Sequence, residues 1–308
     1  MSIHSNDTNT SLPPISLVTP IIYGILGLAL VLANATVLQL FYRNRELRTV
    51  SNSFLASLAV SDLSTGLLAI PANIACILTL QLDVCISMDM CMRFLGFSTV
   101  SHLTVLTLER YVRITRPFEY RSRVTRGKSR LVIASMWVFS LAASLVQLIW
   151  IKDETISEDT IILIEIIYDI ISFGIVVIIP LIIITIIYIA IFRYIRQHNR
   201  KSREFAMTSL TVADASRHQL RREASEKKVL AVFLAMIVIF ILGTFLYFFL
   251  AIIIDLQEYH SIRFTPGTMN ILIKSTMFFR YFSSLCNPLL LTFFKQDFYG
   301  SLRASLKK

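Results

Sequence analysis

Seven stretches of this chain are too long and too apolar to be tolerated in water: approximately 18–42, 50–80, 86–112, 130–151, 161–192, 229–254 and 268–294. A helix needs roughly 20 mainly apolar residues, at about 1.5 Å each, to cross the hydrocarbon of a bilayer. A soluble protein can bury one such run in its core, but seven runs joined by short polar links leave no helix face for water. Of the 308 residues 55% are hydrophobic and only 16% charged, and the mean hydropathy is +0.66. The expected fold is an all-α membrane protein, a seven-transmembrane helix bundle over 18–294. Residues 1–17 are its outer tail and 295–308 a cytoplasmic amphipathic helix and tail. No internal repeat is evident, and seven spans do not divide into the two equal halves typical of many transporters.

A net charge of +10 in a soluble protein would suggest nucleic acid, so the placement of the charge matters. Of 30 Lys and Arg, 25 fall in the first link, in 110–130, in 193–228 and in the tail. These are alternate links plus the C-terminus. That pattern excludes a nucleic-acid partner in favour of the lipid bilayer, and the positive-inside rule puts the C-terminus in the cytoplasm and the N-terminus outside. Asn6 and Asn9 begin glycosylation sequons on that outer side. Asn34-Ala35-Thr36 also matches but lies within the first run, beyond the reach of the modifying enzyme. Residues 1–17 lack the pattern of a cleaved signal peptide, so the first helix is expected to act as its own anchor. Four cysteines make neither a disulfide scaffold nor a metal cluster. A Cys76 to Cys85 bridge is one open pairing. After Asn287-Pro288, Phe294, Phe298 and Leu302 recur at i, i+4 and i+8 beside Lys295, Arg303, Lys307 and Lys308, as in a helix lying on the inner leaflet. The link 193–228 reads as cytoplasmic extensions of the fifth and sixth helices.

Asp62, mid-way along the second run, costs about 2.5–3.5 kcal/mol to insert and is by default functional. Thr99, Ser284 and Asn287 are expected to surround it, with Ser283 also near. Glu109-Arg110-Tyr111 closes the third run. Taken with Asn34, Asp62, Trp137, Pro180, Tyr188, Phe240 and Asn287-Pro288, spread over the other six helices, the triplet gives a chain that resembles the rhodopsin-like G-protein-coupled receptors over about 18–306.

That resemblance implies a plasma-membrane receptor passing an extracellular signal to a heterotrimeric G protein. It implies that Arg110 is held by Glu109 and Glu226 in the closed bundle, with Tyr188 facing the opened cleft. Val100, Pro180 and Phe240 take the places of the packed core switch, and Asp62 that of a site for sodium or a proton. Several positions depart from the family. Gly243-Thr244-Phe245-Leu246 replaces its Cys-Trp-x-Pro motif, so the aromatic switch and the proline kink are missing, and Gly243 permits only weak bending. Leu291 replaces the tyrosine of Asn-Pro-x-x-Tyr. Cys85 has no cysteine to bond in residues 152–164. Met92 stands where amine receptors carry aspartate, which argues against an amine ligand, and Tyr281 stands where opsins carry their lysine.

Arg93 and Arg280 both lie at depths where arginine is costly. Either an anionic or lipid-like ligand meets them, or internal acids do: Asp169 and Glu165 for Arg93, Asp62 through water for Arg280. Internal pairing is favoured at Arg93 and a ligand at Arg280. Asn73, Met92, Ser172, Tyr247, Met277 and Tyr281 complete the expected pocket. No metal cluster, phosphate-binding Gly loop or activated nucleophile suggests an enzyme, and His102 reads as a packing residue. The alternative to a signalling receptor is the same fold acting as a constitutively active form, a decoy or a dimer partner, with a transporter further off.

Overall fold

The structure is a computed structural model that describes residues 17–209, apart from 152 and 154, and 231–303, apart from 232–234, 236, 261–263, 295–299 and 302. Seven long helices make up the described chain: α1 (Val18–Arg43), α2 (Val50–Thr79), α3 (Leu82–Thr115), α4 (Arg126–Ile151), α5 (Glu158–Arg200, helical on to Ser209), α6 (Ile237–Tyr259) and α7 (Pro266–Phe294). The first six are long and apolar enough to cross a membrane by length and composition, and α7 carries Lys274 and Arg280 within it. A short helix, Pro117–Arg123, lies between α3 and α4. The face holding the start of α1 is called upper below, and the opposite face lower. Asn6, Asn9, Glu226 and most of the amphipathic segment after Phe294 lie outside the described residues.

Local chemistry sets the helix ends. Thr49 caps α2 by accepting from the Asn52 backbone N–H at 3.2 Å, and Thr125 caps α4 through Lys128 at 3.4 Å. Leu80, with φ of 51°, closes α2 in the left-handed region and turns the chain into α3. Cys76 and Cys85 form a disulfide across that turn, so the open pairing is filled within one hairpin rather than by a distant loop. Asp153 caps the α4–α5 link. Two hydrogen bonds from Thr155, side-chain hydroxyl first, hold its exposed carboxyl below the usual carboxylate range.

α3 runs through the middle, packed against α2, α4 and α5. The main core holds Tyr23, Met92, Phe97, Val100, Phe240, Phe248 and Tyr281, with the Phe97 and Phe248 rings stacked at 5.4 Å. The opposite surfaces are apolar too: Ile25 on α1, Leu131 on α4 and Ile186 on α5 are each more than 60% exposed, as a bilayer solvent requires.

Three helices contain a stretch of π-helix: Thr65–Ala69 in α2, Phe173–Ile178 in α5 and Ile241–Phe245 in α6. The last corrects the expectation of weak bending at Gly243. An extra residue per turn, rather than a proline, interrupts α6 at Gly243-Thr244. Inserting a residue disturbs the carbonyl ladder, and Ser283 of α7 donates to the Ile239 carbonyl at 3.1 Å. Ser283 lies so close that a Cβ at position 243 would collide with it, so only glycine lets the two helices approach there.

Candidate functional site

Four polar constellations run along the axis of the bundle. At the top, Arg93 of α3 donates through Nε to Asp89 at 2.6 Å and through Nη1 and Nη2 to Asp169 of α5, the second contact at 3.2 Å. The internal pairing expected at Arg93 is present, with one change. Asp89, one turn away on the same helix, is the second partner, and among the described residues no ion pair joins Arg93 to Glu165. Tyr247 of α6 donates to Asp89 at 3.0 Å, and Asp255 of α6 has a buried Oδ2 with no hydrogen-bond partner among the described residues. The Arg93 guanidinium lies 5.4 Å from the centre of the Tyr168 ring. Ser172 is buried one turn below Tyr168, whose phenol donates to the Ala143 carbonyl at 2.9 Å. Sequence reasoning missed Asp89 and Asp255, because an acid near the end of a long helix looks like part of the polar link.

Just below, Arg280 of α7 is only 7% exposed. Its guanidinium stacks over the Tyr247 ring at 4.4 Å and donates to the Met92 carbonyl at 2.8 Å, and its Nε is buried without a hydrogen-bond partner. Gly96 makes room for it, since a Cβ there would come within 2.6 Å of Nη2. Beside it Asn73 donates to the Tyr281 hydroxyl at 2.6 Å, and that hydroxyl meets the Met92 sulfur at 3.9 Å. Met277 packs against this core. The expected pocket residues therefore do gather in the upper half, tied to each other.

At mid-depth Asp62 is fully buried and accepts from Asn287 Nδ2 at 3.0 Å, while its Oδ1 is a buried oxygen with no hydrogen-bond partner. Ser284 is a further contact of the carboxyl. The expected role of Thr99 needs correcting, because its hydroxyl pairs with Ser61 at 3.4 Å rather than with Asp62. A carboxylate oxygen without a donor among the described residues, beside the Ser284 hydroxyl, is the start of an oxygen donor set that fits a small hard cation. One layer away Trp137 donates to Ser57 at 3.0 Å, Ser57 meets His102 Nε2 at 2.7 Å, and His102 Nδ1 donates to the Ser98 carbonyl at 2.7 Å. Both ring nitrogens are used, as befits a packing residue. Of the core switch, Val100 and Phe240 share the main cluster. Pro180 lines a side groove of about 370 Å³ with Val100.

At the lower end Arg110 donates to the Tyr188 hydroxyl of α5 at 3.1 Å. The expected hold by Glu109 is absent: among the described residues no ion pair joins the two. Glu109 instead accepts from Tyr120 at 2.7 Å and faces Arg113 at 3.9 Å. Adjacent residues on a helix point about 100° apart, so the short helix Pro117–Arg123 captures Glu109 while Arg110 reaches across the bundle. Burial first, then the bond to Glu109, raise the Tyr120 phenol above its usual pKa, so it is a donor at any physiological pH. Tyr111, Thr115, Ile186, Arg193 and Tyr194 line a groove of about 560 Å³ on this face.

Comparison with known proteins agrees with this layout. The family described as 7 transmembrane receptor (rhodopsin family) matches residues 33–291. The chain is 33% identical over 187 residues to the 5-hydroxytryptamine receptor 1D of Cavia porcellus, covering 57% of this chain and 49% of that one. To the 5-hydroxytryptamine receptor 1B of Vulpes vulpes it is 34% identical over 145 residues, covering 44% and 36%. The chain thus spans about a third to a half of the length of the curated relatives it matches.

Proposed function

This chain belongs to the rhodopsin family of seven-transmembrane receptors, and from that premise we propose that it carries an extracellular signal across the plasma membrane to a heterotrimeric G protein. The upper face is then outside the cell, with glycans on Asn6 and Asn9, and the lower face is cytoplasmic. The observation that carries the reading is Arg110. Its guanidinium crosses from α3 to the Tyr188 hydroxyl of α5, near a groove lined by Tyr111, Arg193 and Tyr194. An arginine whose partner among the described residues is a hydroxyl is available to a protein partner in a way that an ion-paired one is not. Glu226 serves as its acid in the closed bundle.

The relatives' names refer to 5-hydroxytryptamine, but the ligand of this chain is of another class. Met92 is fully buried and carries no charge, and the nearest acid on α3, Asp89, is already taken by Arg93 and Tyr247. The anionic or lipid-like ligand suggested by two deep arginines now rests on Arg280 alone. Asp62, with Ser284 and Asn287, binds sodium or a proton in the inactive form.

The deciding experiment is G-protein activation in cells without added ligand, comparing the wild type with Arg110→Ala at matched surface expression. The expected result is a basal signal that disappears in the variant. A wild type as silent as Arg110→Ala, with and without a panel of candidate agonists, would favour the second reading, a decoy or dimer partner. Leu291 in place of tyrosine and Thr244 in place of tryptophan are the residues that support that reading.

A further inference from the structure

The groove of about 560 Å³ between the lower halves of α3 and α5 opens sideways rather than into the bundle. Tyr188, whose hydroxyl holds Arg110, is 2% exposed, whereas Ile186 and Ile189, which line the groove, are 61% and 41% exposed. In a bilayer such surfaces meet lipid. α5 runs downward, so the order of its residues is also an order of depth. Ile186, Ile189 and Ala190 form the upper part of the groove, and Arg193, Tyr194 and Gln197 its lower rim, about 10 Å further down the helix axis. Tyr111 of α3 stands in the facing wall. The groove is therefore apolar toward the middle of the membrane and cationic at its lower end.

That cation has no counter-charge among the described residues. The arginines at the lower end of α3 are engaged: Arg113 donates to Ser51 at 3.1 Å and faces Glu109, and Arg116 faces Glu119 at 3.6 Å. Among the described residues no ion pair or hydrogen bond engages the side chain of Arg193, nor the Tyr111 hydroxyl across from it. Its own helix offers no relief, since Arg193 is followed by Arg196, Arg200, Lys201 and Arg203 before the first acid, Glu204. Tyr194 is stacked on His198 at 6.3 Å, which fixes its ring at the rim.

We propose that this groove binds one anionic phospholipid of the cytoplasmic leaflet, its phosphate against Arg193 and an acyl chain along Ile186, Ile189 and Ala190. The inference takes from the receptor reading above only that the lower face is cytoplasmic. That leaflet is the one rich in anionic lipid. A guanidinium offers a phosphate two parallel N–H donors, and the Tyr111 hydroxyl adds a third. A soluble anion would meet the arginine but leave the apolar wall to other lipid, and a neutral lipid would cover the wall but leave the charge unmatched. The site also has a place in the machinery. Tyr111 packs on the cluster that contains Tyr188, so a lipid seated here braces α3 against α5 at the level of the Arg110–Tyr188 hydrogen bond.

The test is native mass spectrometry of the full chain released from nanodiscs of phosphatidylcholine doped with phosphatidylserine. The wild type should keep one phosphatidylserine under conditions that strip phosphatidylcholine. Arg193→Gln should lower that retention roughly fivefold, the contribution of one cation near a membrane surface. Ala190→Phe, which keeps the charge and fills the apolar end, should lower it too. Arg196→Gln, on the same helix but outside the groove, should leave it unchanged, and added glycerol phosphate should not displace the lipid. Retention that ignores headgroup charge overturns the proposal. Equal losses in Arg193→Gln and Arg196→Gln overturn it as well, because they mark a diffuse basic belt, and displacement by glycerol phosphate does so by making the site one for a soluble anion. Nucleotide exchange by an added G protein should be lower for Arg193→Gln than for the wild type when phosphatidylserine is present, and equal when it is absent. If the lipid is retained as expected while exchange is absent and unaffected by Arg110→Ala, the lipid site stands and the signalling reading falls.

Discussion

Arg93 and Arg110 stand on the same helix, each with an acid of α3 close by, and the two ends of the bundle treat them oppositely. Arg93 is held between two carboxylates contributed by α3 and α5, with Tyr247 of α6 bonded to the first of them. Arg110 has lost its acidic neighbour to Tyr120 and, among the described residues, rests on a single phenol. Charges neutralised inside a bundle are costly to separate, whereas a hydrogen bond at a half-wet edge exchanges readily with water. The upper ends of α3 and α5 are thus joined by a buried ion pair and their lower ends by a phenol, which places the freedom to move on the face that meets the proposed G protein.

The largest test of this contrast is Asp169→Ala. It strips the buried guanidinium of its main partner, and breaking one side of a buried pair costs about 3–5 kcal/mol. Thermal melting of the purified receptor should fall steeply, and Arg93→Met combined with Asp169→Leu should recover most of the loss. If the single variant melts like the wild type, the upper half is not held by charge. Next is Gly96→Ala, whose new methyl would push the Arg280 guanidinium off Met92 and Tyr247; overpacking of this kind costs about 1–3 kcal/mol. A melting curve unchanged by that substitution would mean that Arg280 has room to spare.

The lower end should answer more mildly. Tyr188→Phe removes the one described partner of Arg110, worth about 1 kcal/mol, and should change basal signalling several-fold while leaving the melting temperature nearly unmoved. A large drop in melting temperature would erase the contrast between the ends. The smallest effect is expected from Tyr120→Phe, which frees Glu109 at a cost of roughly 0.5–1 kcal/mol. Because the folded pKa of Tyr120 is raised above its unfolded value, its contribution is complete at physiological pH and is lost only as pH climbs above about 10. Stability curves of wild type and Tyr120→Phe should therefore run parallel from pH 6 to 9, and divergence within that window would place another titrating group at Glu109.

Much of this fold is legible in the sequence because a bilayer imposes a length on every span. The seven runs became helices, α3 starting at Leu82 rather than 86, α5 running from Glu158 rather than 161 and on past 192 to Ser209, and α6 described over Ile237–Tyr259 against an expected 229–254. Internal pairing of Arg93 with Asp169 was legible for the same reason, since lipid leaves a deep arginine few alternatives. What the sequence hides is direction. Glu109 and Arg110 are neighbours in the chain, and nothing in the triplet reveals that the short helix Pro117–Arg123 would turn a phenol toward one of them. Nor does hydropathy record the extra residue in a π-turn, so the register of α6 beyond Gly243 could not be read.

That π-turn also decides how α6 can act as a machine part. Ser283 pins it to α7 at the Ile239 carbonyl, close to the middle of the membrane, so the helix has a fulcrum. From Gly243 to Asp255 the upper arm measures about 18 Å at 1.5 Å per residue, and a lower arm of equal length would end near residue 231. A rigid lever with equal arms has a mechanical advantage of one: an ångström at Asp255 returns an ångström below. Any wider excursion of the lower end must come from flexing at the π-turn itself, with the Ser283 hydroxyl as the bolt that sets its stiffness.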